Sequence, residues 1–148
     1  MKLHNKYDAV LFDLDGTVIF SHPGVFNGLK YALTKKGMEI PDESLLRKFI
    51  GPSFYDSFPK YMGTNKEETL ELVDLYREYY KVKGVKEVNI IPGMDELIKS
   101  LYENGIKVIL ATGKPQPYAE EIICDLGLND YFTGIVGSNL DGTRTQKE

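Results

Sequence analysis

Ala9-Val10-Leu11-Phe12-Asp13-Leu14-Asp15-Gly16-Thr17 decides how this chain folds. Its first four residues are a continuous apolar run, the pattern of a parallel strand covered on both faces. Two carboxylates two residues apart follow at the strand's exit, just before a Gly-Thr turn. Like charges this close resist joint ionisation unless a cation or a shared proton relieves them. The stretch therefore points to a carboxylate nucleophile, a neighbouring acid/base and a bound divalent metal. The plainer alternative is that Asp13 and Asp15 only cap a loop.

Outward from this stretch the chain alternates. The spacing predicts a first strand over 7–13 and a helix over 23–36 that Gly37 stops. A second helix opens at Pro41-Asp42-Glu43 and ends at Gly51-Pro52. Ser53 to Met62 reads as a short helix interrupted near Pro59, and Asn65 as the cap of a long helix to about Lys83. Ile90-Ile91-Pro92-Gly93 turns into a helix that Asn104-Gly105 closes. Strands over 106–111 and 134–137 flank a last helix over 117–126. This order indicates an α/β parallel sheet with a helical insertion after the first strand.

Ligands in open parallel sheets bind beyond the carboxyl ends of the strands. The polar groups gather there: Asp13 and Asp15, then Thr112 to Lys114, then Ser138 to Asp141. Thr112 can donate its hydroxyl to a phosphate oxygen, and the Gly113 amide points toward a helix start, a natural anion site. Lys114 either reaches substrate or is solvated. The second Asp-Gly-Thr, at Asp141 to Thr143, has Leu140 before it and no strand running into it, so it reads as a turn.

Asp13 to Thr17 with its strand, Ala111-Thr112-Gly113-Lys114-Pro115, and the stretch from Gly137 to Lys147 resemble motifs I, II and III of the haloacid dehalogenase (HAD) superfamily. The likeness is to its phosphoglycolate-phosphatase-like, C1-capped members. The resemblance implies a Rossmann-type core over 1–19 and 88–148 and a helical cap over 20–87 that closes on the site. It implies Asp13 as nucleophile and Asp15 as general acid/base, help typically worth ~10²–10⁴-fold. Thr112, Gly113 and Lys114 would bind phosphate, and Lys147 would balance the charges. Mg²⁺ would be held by Asp13 and the Asp15 backbone carbonyl, an all-oxygen site that suits it. Arg47 would meet a substrate carboxylate or second phosphate, although a solvent-facing role fits it equally.

The implied reaction is hydrolysis of small phosphomonoesters, phosphoglycolate-like or nucleoside monophosphate, through an aspartyl-phosphate. The alternatives are a β-phosphoglucomutase-like sugar phosphomutase, or a non-catalytic fragment that binds phosphate or a partner chain. Relatives continue to a fourth, acidic motif, so the sequence is expected to be C-terminally truncated. Its sheet would be incomplete, with Val10-Leu11-Phe12 bordering an unpaired apolar edge.

Bulk properties set the remaining expectations. The chain has 148 residues, 42% hydrophobic and 27% charged, as in ordinary globular domains. Its net charge of −4 gives no general attraction to nucleic acid or anionic membrane. No apolar run approaches the ~20 residues of a membrane span, and the start lacks a secretory signal. A single cysteine suits the cytoplasm, and Cys124 is expected to pack as a small hydrophobe. Tyr76, Tyr79 and Tyr80 fit helix packing.

Overall fold

A computed structural model describes residues 6–144. In chain order the elements are β1 (Ala9–Phe12), β2 (Ile19–Phe20), α1 (His22–Lys35), α2 (Glu43–Arg47), α3 (Phe54–Met62) and α4 (Lys66–Tyr80). They continue with β3 (Asn89–Ile90), α5 (Met94–Glu103), β4 (Lys107–Pro115), α6 (Gln116–Asp125) and β5 (Gly134–Ser138). Single 3₁₀ turns sit at Gly84–Lys86 and Asn129–Tyr131. The chain divides into two compact units, one made of described residues up to Phe20 and from Asn89 onward, the other of Ser21–Val88.

The first unit holds a three-stranded parallel sheet in the order β1-β4-β5. Its register pairs Val10 with Val108 and Phe12 with Leu110 across β1 and β4, and Leu110 with Ile135 across β4 and β5. Val108 and Leu110 are fully buried, as are Ile98 of α5 and Ile122 and Ile123 of α6, so helices cover the sheet with apolar side chains. That cover explains the apolar run of β4; β1, expected to be covered on both faces, has none of its four residues buried among the described residues. β1 pairs with β4 on one side, and no strand of the described residues lies on its other side. Leu11 there is 64% exposed.

Three local expectations for this unit change. β4 runs on through Pro115 instead of ending at Ala111, because an irregularity in its pairing with β5 between Ala111 and Pro115 absorbs the Thr-Gly-Lys stretch. Ile19–Phe20 and Asn89–Ile90 form a short antiparallel pair, too brief to show a periodicity in sequence. Cys124 is exposed rather than packed. The buried stripe of α6 is Ala119, Ile122 and Ile123, and residue 124 falls off it.

The second unit is helical. α1 packs along α4, burying Leu29, Ala32 and Leu33 together with Leu72, Val73, Tyr76 and Tyr80. Gly37, with φ of +67°, ends α1 as the sequence indicates. Asn65 and Glu68 cap α4 reciprocally, the Asn65 side chain accepting from the Glu68 amide and the Glu68 carboxylate from the Asn65 amide, both at 2.9 Å. α4 stops at Tyr80, short of Lys83, before the 3₁₀ turn at Gly84. α3 continues through Pro59 rather than breaking there. Phe58 holds it in place, buried against Phe49 and Phe54 with ring centroids 5.1 and 5.8 Å away, so packing overrides the missing amide.

Candidate active site

β1 delivers both carboxylates through a tight turn. Leu14, between them, is fully buried, and its carbonyl accepts the amides of Thr17, Val18 and Ile19 at 3.2, 3.0 and 3.1 Å. On either side of that anchor Asp13 and Asp15 are of intermediate burial as whole residues. Gly16 has φ of +78°, a conformation a side chain would strain, and its amide bonds the Ile19 carbonyl at 2.9 Å. The turn is thus built by Leu14 and Gly16 to present the two aspartates.

The neighbouring strand supplies the partner groups. β4 buries alternate residues, Val108, Leu110 and then Thr112, so the core stripe ends in a hydroxyl only 5% exposed. The Thr112 oxygen accepts the Lys114 amide at 3.1 Å, which leaves its own proton to donate to an anion. Gly113 and Lys114 lie in the irregular part of β4. The Lys114 ammonium stands 3.2 Å from Asp15 Oδ1 in an ion pair whose side chains are 7% and 9% exposed. That oxygen has no hydrogen-bond partner, so the two meet by charge and not by an aligned N–H···O bond.

Gln116, which sequence reasoning passed over, ties the third strand to this end of the sheet. Its Nε2 donates to the Ile135 carbonyl at 2.8 Å, and the Gly137 amide donates to its Oε1 at 2.5 Å. The side-chain amide replaces a rung that the irregular β4 backbone cannot make. A Cβ on Gly137 would lie 2.7 Å from the Gln116 Cα, so glycine is needed there. The only sequence signal is Pro117, which marks a helix start and hence a first-turn side chain at 116.

The remaining expected residues are placed as follows. Asp141 to Thr143 form a turn, with the Thr143 amide and hydroxyl donating to Asp141 Oδ1 at 2.9 and 2.6 Å. Arg47 lies in the helical unit, ion-paired with Glu43 one helical turn away and over the Phe26 ring at 5.8 Å, with its side chain 56% exposed. Lys147 lies outside the described residues. Among the described residues no three His, Cys, Asp or Glu side chains cluster as a metal site. The Asp13 carboxylate and Asp15 carbonyl would offer hard oxygens, the donor type that magnesium takes beside waters and substrate phosphate oxygens. Among the described residues no helix is long and apolar enough to cross a membrane.

Comparison with known proteins identifies the family of the chain. The sequence profile of the family described as "Haloacid dehalogenase-like hydrolase" matches residues 10–144. A 5'-nucleotidase of Pseudomonas aeruginosa is 37% identical over 143 residues, covering 97% of this chain and 65% of that protein. The tyrosine-protein kinase PtkA of Mycobacterium tuberculosis is 30% identical over 138 residues, covering 93% of this chain and 47% of that one. The crystal structure of a predicted phosphatase from Clostridium acetobutylicum superposes with a TM-score of 0.87 at 39% identity, over 93% of this chain and 63% of that one. The chain therefore spans less than two thirds of the length of each of these relatives.

Proposed function

The chain belongs to the haloacid dehalogenase-like hydrolases, and from that we propose that it hydrolyses small phosphomonoesters through an aspartyl-phosphate on Asp13. The observation that carries the reading is the pairing of two exit-turn aspartates with the Thr112–Lys114 stretch of the adjacent strand, sealed by the buried Asp15–Lys114 ion pair. A nucleophile, an acid/base, an anion donor and a cation share one end of one sheet.

In this reading the Asp13 carboxylate attacks phosphorus, and the bond to the leaving oxygen breaks as Asp15 delivers a proton to it. Water then attacks the acyl-phosphate, giving its proton to Asp15 and freeing Asp13. The Thr112 hydroxyl and the Gly113 amide hold phosphate oxygens. Mg²⁺, held by Asp13 and the Asp15 carbonyl, would offset the negative charge gathered there. The substrate class is small and phosphorylated, with nucleoside monophosphates and phosphoglycolate first in the panel. The single cysteine suits a cytoplasmic setting.

The test is phosphate release from that panel with and without Mg²⁺, for the chain and for Asp13→Asn. Mg²⁺-dependent release that Asp13→Asn abolishes is the expected result. Retained turnover in Asp13→Asn rejects the nucleophile. Isomerised sugar phosphate in place of free phosphate points to a mutase, and label moving from ATP to a tyrosine peptide points to the activity in PtkA's name.

A further inference from the structure

We propose that Lys114 is a positioning residue: it fixes the orientation of the Asp15 carboxylate and does not grip substrate phosphate. The proposal rests on the reaction read above and adds a role inside it. Lys114 and Asp15 side chains are 7% and 9% exposed, and Nζ stands 3.2 Å from Oδ1. Oδ1 is out of reach of solvent and accepts no hydrogen bond, so the Lys114 ammonium is the group that faces it. A carboxylate held at one oxygen by charge presents its other oxygen, Oδ2, in a set direction for proton exchange. In the proposed reaction phosphate has donors other than Lys114, the Thr112 hydroxyl, whose oxygen accepts the Lys114 amide, and the Gly113 amide. The backbone of Lys114 thus orients Thr112 while its side chain orients Asp15. One residue aligns both neighbours.

The decisive variants are Lys114→Met and Lys114→Gln, the second serving if the first does not fold, and Lys114→Arg as the conservative change. Each is made alone and over Asp15→Asn. Removing the charge should lower kcat by about 10–100-fold, part of what acid/base help supplies, while KM stays within about twofold. The dissociation constant of inorganic phosphate, titrated calorimetrically with Mg²⁺, should stay within about twofold as well. Lys114→Arg should restore part of the lost kcat. Over Asp15→Asn, the Lys114 variants should cost nothing further, since there is no carboxylate left to aim. A crystal structure of Lys114→Met should show the Asp15 carboxylate turned from its place.

Phosphate affinity falling tenfold or more with kcat unchanged would make Lys114 a phosphate ligand and overturn the proposal. So would an equal loss in the Asp15→Asn background, or an Asp15 side chain unmoved in the crystal. If the unaltered chain releases no phosphate from any substrate, the proposed reaction is what fails. The crystallographic and phosphate-binding results would still decide the role of Lys114.

Discussion

Gly24→Ala should destabilise the helical unit although alanine is the better helix former. Gly24 lies in the first turn of α1 and is buried. A Cβ built there would sit 2.1 Å from the Gly84 carbonyl oxygen, 2.9 Å from its carbon and 3.1 Å from its Cα. Comfortable heavy-atom contacts lie near 3.5–4.0 Å, so α1 and the turn at Gly84 must part by roughly 1 Å or more. All three obstacles are backbone, so no rotamer change relieves them. The same junction is held by the Gly24 amide on the Glu87 carbonyl at 3.3 Å. The Glu87 carboxylate also accepts the Tyr79 hydroxyl at 2.6 Å and the Asn27 amide at 2.5 Å. Overpacking of this kind costs about 1–3 kcal/mol, and the upper half of that range applies because the obstacle is rigid. Helix propensity returns at most about 1 kcal/mol, leaving a net loss of about 1–2 kcal/mol. Urea unfolding followed by circular dichroism reads this as a midpoint lowered by roughly 0.5–1 M at unchanged slope. Amide exchange along α1 is the second readout, because two compact units need not unfold together. A midpoint at or above that of the unaltered chain would show that propensity wins, and the close approach of Gly24 to Gly84 would be refuted.

Three further outcomes follow from local geometry. Asn65→Ala should cost about 1 kcal/mol by removing half of the reciprocal cap, whereas Asn65→Gly should cost only a few tenths; paired urea titrations compare them. The Ser44 hydroxyl, and then the Leu45 amide, hold the Asp42 carboxyl below its ordinary 3.8. A carboxyl lowered in the folded state contributes stability above its unfolded value and loses it as pH falls through the folded one. Asp42→Asn should therefore flatten the fall of the urea midpoint below about pH 4, and an identical acid profile in both proteins would remove the argument. Gln116→Ala should strip the rung from β5, leaving the Ile135 carbonyl and Gly137 amide unmatched, at about 1–3 kcal/mol, with the Gly137 amide exchanging faster by hydrogen–deuterium exchange.

What could be read from sequence was whatever depends on neighbours along the chain. The apolar runs at 9–12 and 108–111 announce parallel strands, of which only the second is buried, and the glycine after α1 and the asparagine before α4 sit at the helix ends they mark. Pairings across strands were not readable in this way, and the Asp15–Lys114 pair shows why. Residues matched in a parallel register share a face, so Val10 lies with Val108 and Phe12 with Leu110. Continued as ideal pleats, the strands would put Thr112 and Lys114 on that face and Asp13 and Asp15 on the opposite one. Strict alternation thus separates the very groups that meet. They come together because both strands leave the pleat: β1 ends at Phe12 in the turn anchored by Leu14, and β4 loses its regular pairing between Ala111 and Pro115. Nothing in one sequence sets where a strand becomes irregular, since that depends on the rung Gln116 supplies from the following helix. The motif residues could be recognised one by one, but which carboxylate the lysine faces is decided by an irregular stretch of strand.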